Sequence, residues 1–108
     1  MRLPQITHLQ FMVLGTLLSG EQPGSFIRGR LAKAKVRQTG PAFYQMMARL
    51  EDTGLVKGWY VNKTVKGQIV KERRYRLKKA GARCWEETRD FYLANVRAVE
   101  GTTRLAEV

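Results

Sequence analysis

Cysteine and histidine are almost missing from this chain: its 108 residues hold one of each, Cys84 and His8. A lone cysteine cannot close an intramolecular disulfide, and there is no second cysteine or histidine to complete a metal cluster or a catalytic arrangement. No Gly-rich phosphate loop leads into a helix, and Gly24, Gly29 and Gly40 are spaced as turn and packing glycines. The longest apolar run, Phe11 to Leu18, is too short to span a bilayer. The N-terminus lacks a Lys/Arg-led apolar stretch with a small-residue cleavage site, so no secretory leader is expected, and a reducing, cytoplasmic setting fits the single thiol. There is no internal repeat and no low-complexity segment. With this inventory no enzyme, metal site or membrane partner is expected.

Acids are scarce too. Nine Asp+Glu stand against 20 Lys+Arg, a formal charge of +11 and a pI near 10.4. Such a field draws polyanions, of which nucleic acid is the commonest soluble one. The imbalance is uneven. From Gln22 to Leu50 there are six basic residues and no acid; from Thr53 to Trp85 there are ten, with Glu72 as the one acid. From Glu86 onward three basic residues face five acids. One region is built for phosphate and the other for protein. The length is that of one domain, and a domain this short buries only about 60–70% of its unfolded surface, which favours adding core by dimerisation.

The chain reads as three helices, a hairpin and a long helix. Thr7 can cap a first helix running to about Leu18, stopped by Ser19-Gly20. Ile6, Leu9, Val13 and Leu17 share one face and Phe11, Leu14 and Leu18 another, so this helix needs two partners. Ser25 can cap a second helix over about 26–35, with Ile27, Leu31 and Ala34 inward and Arg28, Arg30, Lys33 and Lys35 outward. After the break at Gln38-Thr39-Gly40, Pro41 suits the first turn of a third helix, which ends at Gly54. Its core face is Phe43, Met46, Met47 and Leu50. Leu55 to Val61 and Ile69 to Leu77 read as strands around a tip that holds Gly67, with an imperfect alternation that admits a bulge. A last helix covers about 80–99, and the tail from Gly101 is expected to fray. On this helix Trp85, Tyr92 and Val99 recur every seven residues, with Cys84, Phe91 and Ala98 one position earlier.

Three helices with a basic hairpin make a winged helix-turn-helix, mostly α with a two-stranded wing. The expected division is residues 1–78 as the DNA-binding domain and 79–108 as the dimerisation helix and tail. The third helix should enter the major groove with Ala42, Tyr44, Gln45, Ala48 and Arg49. Gln45 suits adenine, Arg49 guanine or a phosphate, and Tyr44 a phosphate or sugar. Arg28 and the Gln38-Thr39 turn adjoin that surface. Lys63 and Lys66 at the wing tip suit the minor groove, as do Arg73 and Arg74 on the return strand, although charges there also protect an edge strand.

The segment Gly40 to Val56, with Phe43-Tyr44, Arg49-Leu50-Glu51 and Gly54-Leu55-Val56, resembles the reading helix of PadR-like transcriptional regulators. Arg73-Arg74-Tyr75-Arg76-Leu77 with Gly81 is similar to that family's wing strand, and the likeness runs over roughly residues 7–98. Pro41-Ala42 and Lys78 depart from the family pattern, and a member of the short type, without the long C-terminal domain of some members, is expected. The resemblance implies a short-type homodimer, joined through the first and last helices, that represses genes and releases DNA on binding a small ligand. It also implies an aromatic effector at the dimer interface. Leu14, Leu18, Cys84, Trp85, Thr88, Phe91, Tyr92 and Asn95 are the candidates to line that interface or pocket. Plain packing remains the commoner use of such an aromatic stripe, and Cys84 reads as a buried thiol sooner than a redox sensor. His8 and Glu86-Glu87 read as surface groups. Two other functions stay open: sequence-tolerant, architectural DNA or RNA binding, and a protein-interaction adaptor. No cofactor is expected.

Overall fold

The computed structural model describes residues 3–102. The elements are α1 (His8–Thr16), β1 (Gln22–Pro23), α2 (Gly24–Lys33), α3 (Gly40–Asp52), β2 (Val56–Val65), β3 (Gln68–Leu77) and α4 (Lys79–Thr102). The expected order is therefore present, with one strand added. The anticipated frayed tail beyond Thr102 lies outside the described residues.

Local chemistry explains each boundary. Thr7 caps α1 through a reciprocal box: the Gln10 backbone N–H donates to the Thr7 hydroxyl at 3.1 Å, and the Thr7 N–H donates to the Gln10 side-chain oxygen at 3.0 Å. The helix stops at Thr16 with Leu17 as its C-cap, short of the expected Leu18. Ser25 does not cap α2. That helix starts at Gly24, behind Pro23, with no side-chain cap bond. The reason is β1, which sequence reasoning missed: Gln22 and Pro23 pair with Tyr75 and Arg74, and this pairing delivers the chain into the helix early. Two residues are too few to show a strand periodicity. Both α2 and α3 end in the same six-residue closure. The Val36 N–H donates to the Leu31 carbonyl at 2.9 Å, and the Leu55 N–H to the Leu50 carbonyl at 3.0 Å. The left-handed position is Gly54 after α3 but Lys35 after α2, at φ 65°. A lysine there carries strain that glycine would not.

The wing is a continuous ladder from Val56↔Leu77 to Val65↔Gln68, so the bulge admitted by the sequence is absent. Lys66 and Gly67, both at positive φ, make its two-residue turn. The sheet order is β1-β3-β2.

The core is drawn from every layer. Val13, Leu14 and Leu17 meet Ile27 and Leu31, the four inward residues of α3, Val56 and Tyr75. Burying each such side chain contributes about 1.5–3 kcal/mol relative to exposure. Leu14 is 0% exposed. Its expected place at a subunit interface is thus corrected: Leu14 packs into the body and Phe11 turns to α4, while Leu18 of the same face stays exposed.

Candidate nucleic-acid interface

α3 presents two faces of opposite kind. Phe43, Met46, Met47 and Leu50 are buried, while Ala42, Tyr44, Gln45, Ala48 and Arg49 are exposed. The helix begins on Thr39, whose hydroxyl accepts from the Ala42 N–H at 3.2 Å, so this oxygen stabilises the helix start. Arg28 reaches from α2 to the turn, where it donates to the Gln38 carbonyl at 3.3 Å and lies 5.9 Å over the Phe43 ring. The buried side-chain oxygen of Gln38 has no hydrogen-bond partner. Tyr44 stands edge-on to Phe43 at 5.1 Å, and Gly24 leaves room for it: a Cβ there would come within 3.2 Å of the tyrosine oxygen. Arg37 is exposed beside Arg28 and Gln38, whereas Arg30 and Lys33 are exposed on the side of α2 that faces Met12 and Thr16 of α1.

The wing is less uniformly free. Lys63 bonds Glu72 at 3.2 Å. Arg74 bonds Glu72 at 2.8 Å and lies 3.5 Å from Glu21, which ties β3 to the segment before β1. The Arg74 bond, and then that of Lys63, hold the Glu72 carboxyl below its ordinary range. Arg73 bonds Glu51 of α3 at 2.6 Å and stacks over Tyr60 at 4.6 Å and Tyr75 at 5.6 Å. Partial burial opposes the Arg73 charge, but Glu51 and Tyr75 outweigh it and hold its pKa above the usual value. Burial pushes Tyr75 up to about 12, with Arg73 working the other way. Among the described residues Lys57, Lys66 and Arg76 are exposed and make no ion pair.

A second cluster joins α4 to α1. Trp85 stacks on Phe11 at 5.6 Å and 13°, with Arg89 over its ring at 5.3 Å. Its indole edge fills the space left by Gly15, where a Cβ would come within 3.1 Å of the nitrogen. The Tyr92 hydroxyl and His8 Nδ1 are hydrogen-bonded at 3.1 Å. Phe91 meets Tyr92 edge-on at 5.5 Å, and the Asn95 amide donates to the Phe91 carbonyl at 2.8 Å. Burial raises the Cys84 thiol above its ordinary pKa. From Leu93 to Gly101 every residue of α4 is exposed, Leu93 by 44% and Val96 by 53%.

No protein-family model matches the chain, and no curated protein is similar to it in sequence. Solved structures are similar in shape. A transcriptional regulator from Clostridium thermocellum superposes with a TM-score of 0.69 at 18% identity, over 90% of this chain and 91% of that one. A PadR-like transcription factor from Bacteroides fragilis does so with a TM-score of 0.73 at 18% identity, over 88% and 89%. The chain has the PadR-like winged-helix fold. Bacillus subtilis PadR, solved in complex with operator DNA, matches with a TM-score of 0.58 at 22% identity; 79% of this chain is covered, and it spans 46% of that one.

The PadR-like frame sorts the residues singled out in the sequence. Ala42, Tyr44, Gln45 and Arg49 share one exposed face of α3, with Arg28 and the Gln38-Thr39 turn at its start. Lys63 and Lys66 stand at the outer wing. Arg73 and Arg74, expected to face DNA, are ion-paired here, Arg73 with Glu51 of α3 and Arg74 with Glu21 and with Glu72 of its own strand. Thr88, expected at the subunit interface, is 2% exposed and donates to the Cys84 carbonyl at 2.7 Å, because it lies on the inner side of α4. Leu18 remains 46% exposed. Sequence reasoning missed Gly58, whose neighbours Glu51 and Arg73 are remote in the chain. Among the described residues no group of three His, Cys, Asp or Glu is placed to hold a metal, and no helix is long and apolar enough to cross a membrane.

Proposed function

We propose that this chain is a DNA-binding transcriptional regulator that acts as a homodimer. The observation that carries the reading is the exposed face of α3. It offers Tyr44, Gln45 and Arg49 on a rigid, well-anchored helix, with Arg28 of α2 at the turn before it and the exposed Lys66 at the tip of the wing. In this reading α3 enters the major groove, with Gln45 on adenine and Arg49 on guanine or phosphate. The wing tip follows the minor groove. The outer half of α4 meets a second subunit through Leu93 and Val96, setting the two reading helices at a fixed spacing. Repression relieved by a flat aromatic effector near Trp85, Phe91 and Tyr92 is the finer form of the proposal, and it is supported by the resemblance to PadR-like regulators together with the stacked Trp85-Phe11 pair. A cytoplasmic setting follows from that role.

The charge of +11 favours a second reading, sequence-tolerant binding to duplex DNA or RNA. One experiment decides between them. Selection of bound sequences from random duplex DNA, followed by affinity measurement on selected and random sites, should give a ratio of about 10³ or more for an operator binder. A ratio near unity favours the architectural reading, and failure to bind any duplex at low salt overturns both. With about 6–10 phosphates engaged per dimer, affinity for the selected site should fall about 10³–10⁵-fold between roughly 50 and 200 mM salt.

A further inference from the structure

Among the described residues the wing makes one polar side-chain contact with the reading helix. Glu51 sits in the last turn of α3, and its carboxylate accepts from the Arg73 guanidinium of β3 at 2.6 Å. The side chains are 24% and 21% exposed, so the pair is largely shielded from solvent. The contact spans 22 residues of sequence. Arg73 is held on its other sides by two rings, Tyr60 on β2 and the buried Tyr75. Position 58, directly across from Tyr75, is the floor of the contact. A Cβ there would lie 2.5 Å from the Glu51 carboxylate oxygen and 2.8 Å from an Arg73 guanidinium nitrogen. Gly58 is thus the residue type that lets the ion pair close over the strand.

β1 and Glu21 hold β3 at Tyr75 and Arg74, and outward of Arg73 the hairpin, among the described residues, rests on its own ladder. Residues 62–71 are exposed throughout, and the exposed Lys66 tip is the far end of a ten-residue ladder. A small rotation where β2 and β3 leave the body would displace that tip by several ångströms. We propose that Glu51, Gly58 and Arg73 form a brace that fixes the angle between the wing and the reading helix, making Arg73 a positioning residue instead of a phosphate contact. The inference rests on the DNA-binding reading above for its consequence, but not for its geometry. The brace sets the distance between the two groove-reading elements. Lys66 then meets the minor groove at a fixed offset from Gln45 and Arg49, and duplexes whose groove lies elsewhere are disfavoured.

The sign of the Glu51 effect separates a brace from a phosphate contact. Removing an acid from a DNA-binding surface ordinarily strengthens binding, and here it would also release an arginine. The brace requires the opposite. Glu51→Ala and Arg73→Ala should each weaken affinity for the selected duplex about tenfold, with equal loss of salt dependence. The double variant should be no worse than either single one, and Glu51→Gln, which keeps a hydrogen-bond acceptor, should recover part of the loss. Tighter or unchanged binding by Glu51→Ala, beside weaker binding by Arg73→Ala, would overturn the proposal and return Arg73 to the DNA surface.

A measurement without DNA keeps the two claims apart. Nitroxide labels at Ala48→Cys and Thr64→Cys, in a Cys84→Ser chain mixed with excess unlabelled chain, report the separation of α3 and the outer wing by pulsed electron resonance. A narrow distance distribution that broadens in Glu51→Ala and in Gly58→Ala supports the brace. An unchanged width in both, with the fold intact by circular dichroism, removes it. If the parent chain binds no duplex, the function proposed above fails while this measurement still decides the brace.

Discussion

Two arms leave the body of this protein, the wing and α4, and they leave it differently. The outer wing satisfies its own backbone: each strand of the hairpin pairs with the other from end to end, and most of its side chains are polar or cationic. α4 satisfies its backbone as any helix does, yet its outer half carries Leu93 and Val96 into solvent. The wing also exposes Val65, Ile69 and Val70, but its lysines attract a polyanion, whereas an apolar helical stripe is complete only against more protein. The inner halves show the same contrast. The wing is tied down by ion pairs, Glu51 to Arg73 and Glu21 to Arg74, whereas α4 is tied down by rings and close backbone packing.

The sharpest way to break this comparison is to make the α4 arm resemble the wing. Val96→Asp puts a charge into the exposed apolar stripe without touching the buried body. In sedimentation equilibrium the parent chain should run at twice 12.4 kDa and the variant at 12.4 kDa. Affinity for a two-half-site duplex should fall roughly 100-fold, since each half-site then binds alone. A parent chain that is already monomeric would remove the second subunit from the account, and with it the reason for the exposed stripe.

A second test, of comparable size, separates the two ends of α4. Gly81 packs so tightly that a Cβ would collide with the Leu55 carbonyl oxygen and lie 2.8 Å from a Leu77 methyl group. At Gly101 nothing lies within 4 Å. Gly81→Ala should cost about 2–4 kcal/mol, because the obstacle is backbone and cannot rotate away. Gly101→Ala should be neutral or stabilising by up to about 1 kcal/mol. Thermal denaturation of the two variants checks both. Equal and small shifts would mean that the inner half of α4 is no better anchored than the outer.

What the sequence made legible follows the same line. Strong periodicities were readable: the Phe43, Met46, Met47, Leu50 face and the long last helix stand where residue spacing puts them, whereas β2, whose alternation is imperfect, runs on to Val65 past its expected end at Val61. Contacts that close over long sequence separations were not. Nothing local marks Gly58 as the floor of a Glu51-Arg73 pair, and nothing in Gln22-Pro23 announces a strand, because both acquire meaning only from β3. Leu14 misled for a related reason: spacing shows that a helix has two apolar faces, but it does not say whether the second is covered by the same chain. Counting basic residues overstated the charge the wing offers DNA, since Glu51 of α3 and Glu21 before β1 join the wing's own Glu72 in neutralising part of it.

The finest test lies within the wing itself and asks which cations are available. Lys66 makes no ion pair among the described residues, whereas Lys63 holds Glu72 at 3.2 Å. Lys66 also sits at φ 51°, where asparagine is tolerated and alanine is strained, so Lys66→Asn removes the charge while keeping the turn. The slope of log affinity against log salt should then shrink by about 0.9 per subunit, the value for one lost phosphate contact. Lys63→Gln should shrink it less, because that amine already shares its charge with a carboxylate. Identical slopes for Lys66→Asn and the parent chain would take the wing tip out of the interface and leave α3 to hold the duplex without it.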